Sequence, residues 1–155
     1  MSFHKILVTL DGSELAESAV EYAKRAAAPD AHITLLTVME EDWAASLAMA
    51  GVMGHTAPIP ANPRNANDPE ALAESRRYLD DVGEPLVRAG LKVASEVHNG
   101  SVVEVIKAIA EQGYDLIVMA THGRTGLGKV ILGSVVSDVL PLAPCPVLVI
   151  PPVHR

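Results

Sequence analysis

The segment Ala120-Thr121-His122-Gly123-Arg124-Thr125-Gly126-Leu127-Gly128-Lys129-Val130-Ile131-Leu132-Gly133-Ser134 gathers the residue types that can hold an anion. Gly123, Gly126 and Gly128 fall within six residues, so backbone N–H groups can approach a phosphate with no Cβ in the way. Arg124 and Lys129 add positive charge to a chain whose formal net charge is −7. Gly133 and Ser134 stand near the expected start of a helix, where free amides favour phosphate. The Ser134 hydroxyl can donate one more hydrogen bond. His122 lies within the same loop and can contact a phosphate or serve as an ordinary polar loop residue. Glycine-rich turns also arise where a strand must turn tightly into a helix, and the loop alone leaves that reading open.

Two phosphate motifs fit poorly. Gly123 to Val130 nearly matches a P-loop, but Val130 stands where a hydroxyl residue would hold magnesium, and a P-loop normally follows the first strand. A dinucleotide fingerprint fails because Ile131 occupies the place of its third glycine. The histidines His4, His32, His55, His98, His122 and His154 are scattered without metal-ligand spacing, so no protein-built metal site is expected. No Ser/His/Asp order or carboxylate pair stands out, so no catalytic residue is assigned.

Composition narrows the function classes. Almost half the residues are apolar and a fifth are charged, which excludes a disordered linker. The acidic balance argues against nucleic acid or an anionic membrane as main partner. The longest uncharged stretch, Trp43 to Pro63, is interrupted by Gly51, Gly54, Pro58, Pro60 and Asn62, so a membrane helix is not expected there. Cys145 is the only cysteine, which rules out an intramolecular disulfide and reads as a buried structural thiol. The first residues enter a strand directly, without a signal-peptide pattern. The expected location is cytoplasmic.

The elements that must position the loop alternate strand with helix. Strands are expected at Lys5–Leu10, His32–Val38, Lys92–Val97, Asp115–Ala120 and Pro146–Ile150. The first helix opens with Asp11 or Ser13 as N-cap and carries Leu15, Ala16, Ala19, Val20 and Ala23 on one face. A second begins at Asp68-Pro69-Glu70 and runs to Ala89, burying Leu72, Ser75, Leu79, Val82 and Leu86. Ser101 to Glu104 reads as a capping box for a third, whose face is Val102, Val105, Ile106 and Ile109 and whose stop is Gly113. A fourth is expected from Ile131 to Leu140. Residues 39–67 form an irregular insertion in which Met39, Met49 and Met53 could line a lid. One α/β domain over residues 1–155 follows, doubly wound, with a five-stranded parallel sheet and helices on both faces. Such sheets bind ligands beyond the carboxyl ends of their strands.

The run ATHGRTGLGKVILGS, with KILVTLDGSE near the start and APCPVLVI near the end, resembles the universal stress protein family over almost the whole chain. In its ATP-binding members the motif is Gly, two residues, Gly, nine residues, Gly, then Ser or Thr. The resemblance therefore maps Gly123, Gly133 and Ser134 onto it, with Ala120 in place of the first glycine. It implies strand order 3-2-1-4-5, Asp11 beside the ribose or adenine, and the Val38 backbone reading the adenine edge. ATP-binding residues expected on this basis are Asp11, Val38, Ala120, His122, Gly123, Arg124, Gly126, Gly133 and Ser134, with magnesium held through the phosphates.

The apolar last strand (Val147, Leu148, Val149 and Ile150) would lie at a sheet edge in that order, and an exposed apolar edge invites pairing with another chain. Family members commonly dimerise there, so a homodimer is expected. The leading expectation is a dimeric ATP-binding sensor or regulator of the stress response, at most a weak ATPase. The rivals are a dimeric interaction protein of the same fold that binds no nucleotide, and an adenylating enzyme on a related scaffold. The downstream protein partner has no signature in the chain.

Overall fold

The computed structural model describes residues 1–39, 68–121 and 133–152. Its strands are β1 (Phe3–Thr9), β2 (Ala27–Met39), β3 (Lys92–Asn99), β4 (Leu116–Ala120) and β5 (Val147–Ile150). Its helices are α1 (Glu14–Ala26), α2 (Pro69–Arg88), α3 (Val102–Ala110) and α4 (Ser134–Val139), the last continued by a 3₁₀ turn at Leu140–Leu142. The strands form one parallel sheet in the order β3-β2-β1-β4-β5.

Alternation along the strands assigns their side chains to two cores. On one face Ile6, Val8, Ile33, Leu35, Leu116 and Val118 pack with Ala16, Ala19 and Val20 of α1 and with Leu79 and Leu86 of α2. On the other, Leu7, Leu36, Ile117 and Met119 meet Ile106 and Ile109 of α3 and Val136 and Val139 of α4. Each fully buried Val, Leu or Ile contributes about 1.5–3 kcal/mol relative to exposure. Aromatic rings are scarce, so aliphatic interlocking sets the spacing between helices and sheet. Gly83 of α2 shows how close that spacing is: a Cβ there would lie 3.1 Å from Leu35 Cδ1 and 3.1 Å from Val93 Cγ1.

The start of β2 departs from expectation. The strand begins at Ala27 rather than His32, directly after α1. Phe3 pairs with Ala27 and Lys5 with His32, so β2 takes five steps where β1 takes two. Exposed Pro29 and Asp30 occupy this irregularity, where a residue without an N–H costs no ladder bond. A second departure concerns α3. Ser101 is its N-cap, but its side chain makes no cap hydrogen bond, so the expected capping box is not formed. α1 resolves the choice of cap: Ser13 Oγ accepts from Ala16 N at 3.1 Å, and Ser13 is the N-cap.

Polar contacts hold the sheet at the end opposite the strands' carboxyl termini. The Asp115 carboxylate accepts from the His4 and Lys5 amides at 2.9 and 3.0 Å, and Lys5 Nζ donates to the Gln112 carbonyl at 2.7 Å. Tyr114 Oη donates to buried Thr34 Oγ1 at 2.7 Å, which satisfies both hydroxyls.

Candidate functional site

At the carboxyl end of the sheet the central strands separate. The β1–β4 register ends at Val8↔Val118, and the β1–β2 register ends at Thr9↔Leu36. Beyond these points β1 turns toward α1, while β4 leads toward α4 and β5. The crevice between them is the switch point of the doubly wound sheet.

The β1 side is set by a sequence of local bonds. Leu10 N donates to Leu36 O at 2.8 Å, and Thr37 Oγ1 donates to Leu10 O at 3.0 Å, so the last residue before the turn is tied to β2. Gly12 then turns the chain with φ +86°, a left-handed conformation that suits glycine. Asp11 is exposed, and its Oδ1 accepts from Ser13 N at 3.0 Å and from Ser13 Oγ at 2.6 Å. Asp11 thus orients the cap residue of α1 while remaining exposed in the turn that follows β1. Structural and binding roles are compatible in this residue.

Val38 owes its position to strand alternation. Leu36 turns its carbonyl toward β1, where it accepts from Leu10, and Met39 turns its carbonyl toward β3, where it accepts from Gly100 N at 3.0 Å. Val38, two residues past Leu36, therefore turns its own N–H and C=O toward the β1 side, above the point where β1 has left the sheet. That backbone edge offers one donor and one acceptor to the crevice.

On the β4 side Ala120 is the last strand residue and pairs with Ile150. Extended backbone is open to alanine, so the absence of the family's glycine imposes no strain here. Thr121, which the sequence reading did not single out, is almost completely buried at 1% exposure. Its amide donates to Ile150 O at 3.0 Å, and its Oγ1 accepts from Gly133 N at 2.8 Å. A hydroxyl directly after a strand and ahead of a glycine-rich loop was the available signal. Thr121 closes the base of the loop and joins the end of β4 to the start of α4.

Gly133 is the N-cap of α4 and Ser134 its first residue. With the Gly133 amide engaged by Thr121, the first-turn amides that follow are the ones without intrahelical acceptors. Asp11, Val38, Ala120, Gly133 and Ser134 thus all sit at the carboxyl end of the sheet. His122, Gly123, Arg124 and Gly126 lie outside the described residues, as does most of the 39–67 insertion. Among the described residues no group of three or more His, Cys, Asp or Glu could hold a metal ion. No helix among them is long and apolar enough to cross a membrane. Burial, and next the nearby Asp115 carboxylate, raise the Cys145 pKa, which favours an inert thiol.

The universal stress protein family profile matches residues 2–151. The chain belongs to the universal stress protein family. The universal stress protein MJ0577 of Methanocaldococcus jannaschii is 30% identical over 157 residues, covering 96% of this chain and 94% of that protein. Its solved structure superposes over the full length of both chains with a TM-score of 0.75 at 27% identity. More distant members share the fold. A universal stress protein solved in complex with cAMP has 20% identity and a TM-score of 0.62, covering 99% of this chain and 98% of that one. A family protein of Arabidopsis thaliana with AMP bound has 18% identity and a TM-score of 0.59, covering 97% of this chain and 93% of that one.

Proposed function

We propose that this universal stress protein binds ATP in the crevice between β1 and β4 and acts as a dimeric sensor or regulator in the stress response. The observation that carries the reading is the Val38 backbone edge on the side where β1 has ended, with Asp11 in the turn after β1 and Thr121, Gly133 and Ser134 at the end of β4 and the start of α4. An adenine needs a donor and acceptor side by side, which one strand residue past the end of its neighbour supplies. Asp11 suits a ribose hydroxyl, because a carboxylate accepts from two donors at once. The loop containing His122, Gly123, Arg124 and Gly126 suits the phosphates through its glycine amides and its cation. Relatives holding cAMP and AMP support an adenine nucleotide as the ligand class. With no protein-built metal cluster among the described residues, magnesium would arrive on the phosphates.

The edge position of β5 supports the homodimer, with Val147, Leu148 and Val149 half-buried and Leu140 and Leu142 exposed in the 3₁₀ turn that precedes it in the chain. Cytoplasmic location remains part of this proposal.

Calorimetric titration of magnesium-ATP into the wild type, Gly133→Val and Asp11→Ala tests the reading. Binding that is lost or weakened at least tenfold in both variants supports it. No binding by the wild type overturns the ATP reading and favours a dimeric interaction protein.

A further inference from the structure

Two bonds end the contact between β1 and β2, and the second does not belong to the ladder. Leu10 N donates to Leu36 O at 2.8 Å, which completes the last step of the parallel register at Thr9↔Leu36. The next rung would run from the Val38 amide to the Leu10 carbonyl, because a parallel ladder engages every second residue of the facing strand. Among the described residues that rung is not made, and the register goes no further. The Leu10 carbonyl accepts instead from Thr37 Oγ1 at 3.0 Å. Leu10 is buried, so its carbonyl has little water to turn to and needs a donor from the protein. Thr37 supplies that donor from a side chain, where the strand would otherwise supply it from the backbone.

We propose that Thr37 is a positioning residue that holds the Val38 edge open: its hydroxyl occupies the Leu10 carbonyl, and the Val38 N–H is left for the acceptor nitrogen of a purine. Threonine suits both requirements of the position. Its branched Cβ favours the strand, and its hydroxyl satisfies the carbonyl at which the ladder stops. A valine would favour the strand equally and leave the Leu10 carbonyl to the Val38 amide. The same bond also fixes the peptide plane that Leu10 shares with Asp11, since a carbonyl and the amide that follows it form one planar unit. One side chain thus governs the base-reading edge and the entry to the turn that carries Asp11. The inference rests on the nucleotide reading above and names the residue that makes its base edge available.

Amide hydrogen exchange and calorimetry on the full chain test it. In the nucleotide-free wild type the Val38 amide should exchange faster than the Leu10 amide, which the Leu36 carbonyl holds. A Val38 amide as protected as that of Leu10 overturns the proposal without any variant. Thr37→Val keeps the branched shape and removes the donor, so the Leu10 carbonyl should turn to the Val38 amide and close the rung. Val38 exchange should then slow about tenfold relative to Leu10, and affinity for magnesium-ATP and for AMP should fall about tenfold, the scale of one hydrogen bond. Thr37→Ser keeps the hydroxyl and should restore both. A threonine that only supports the strand would leave Val38 exchange unchanged or faster on replacement by valine, and either result overturns the proposal. Slower exchange with unchanged affinity overturns it as well. If the wild type binds no adenine nucleotide, the functional reading is what fails. Val38 exchange then still decides whether Thr37 holds the edge open.

Discussion

Thr121 and Gly133 are twelve positions apart in the chain and joined by one hydrogen bond of 2.8 Å, Oγ1 accepting from the amide. The bond ties the end of β4 to the N-cap of α4. A threonine that is 1% exposed has little water to fall back on, so its partner cannot be replaced cheaply.

Thr121→Val removes the acceptor while keeping a branched side chain of similar size. Stability should fall by about 1–2 kcal/mol, because the Gly133 amide loses its partner. Urea denaturation measures this. Thr121→Ser should recover most of the loss. An unchanged midpoint in the valine variant would mean that the loop's base is held by other contacts. Nucleotide affinity should fall in parallel, since the loop and the start of α4 would no longer share an anchor.

Gly83→Ala sets two effects against each other. Alanine gains about 1 kcal/mol in helix propensity over glycine. Against this, its Cβ would stand 3.1 Å from both Leu35 Cδ1 and Val93 Cγ1, and Leu35 is fully buried with nowhere to retreat. Overpacking of this kind costs about 1–3 kcal/mol. Net destabilisation of about 1 kcal/mol is expected from chemical denaturation. A stabilised variant would show that α2 can lift from the sheet at little cost.

Alkaline pH should weaken the fold through Tyr78 and Tyr114. Burial leads both of their pKa values upward, Tyr78 to about 12 from 10.0, with the Thr34 bond partly opposing the shift at Tyr114. A raised folded-state pKa means that the unfolded chain loses its proton first. The tyrosine contribution is therefore intact below about pH 10 and declines as pH rises toward 12. Urea midpoints at pH 9, 10 and 11 should fall progressively, and Tyr78→Phe should flatten part of the slope. A slope identical in that variant would assign the effect to other groups.

The β5 edge can be tested through its backbone. Pro146 O accepts from Ile117 N and Ile150 O accepts from Thr121 N, so alternate residues face β4, and Val147 and Val149 direct their amides outward. Val149→Pro removes an outward N–H while leaving the β4 ladder intact, a substitution that edge strands accommodate. If the proposed homodimer pairs through this edge, sedimentation should give a dimer for the wild type and a monomer for the variant at the same concentration, with the circular dichroism retained. A persistent dimer would exclude pairing through this edge.

The sequence alone determined the alternation of strands and helices, the buried Ala16, Ala19, Val20 and Ala23 of α1 and the buried Ser75, Leu79 and Leu86 of α2, whereas Leu72 and Val82 are only half-buried and Ala71 and Gly83 complete that face. These follow from local periodicity and from turn residues such as Gly12, Gly90 and Gly113, whose positive φ glycine adopts without strain. Strand order came from resemblance, because nothing in a strand's own residues names its neighbour.

Tertiary structure decided what depends on partners distant in the chain. Ala27 joins β2 only because Phe3 lies beside it. Ser101 and Glu104 have the spacing of a capping box, yet the Ser101 side chain makes no cap bond. Val38 presents its backbone to the crevice because β1 ends two residues earlier on that side. Thr121 acquires its role only when α4 returns to the end of β4. Hydrophobic pattern is written residue by residue, whereas a hydrogen bond between positions 121 and 133 exists only once the chain has closed around it.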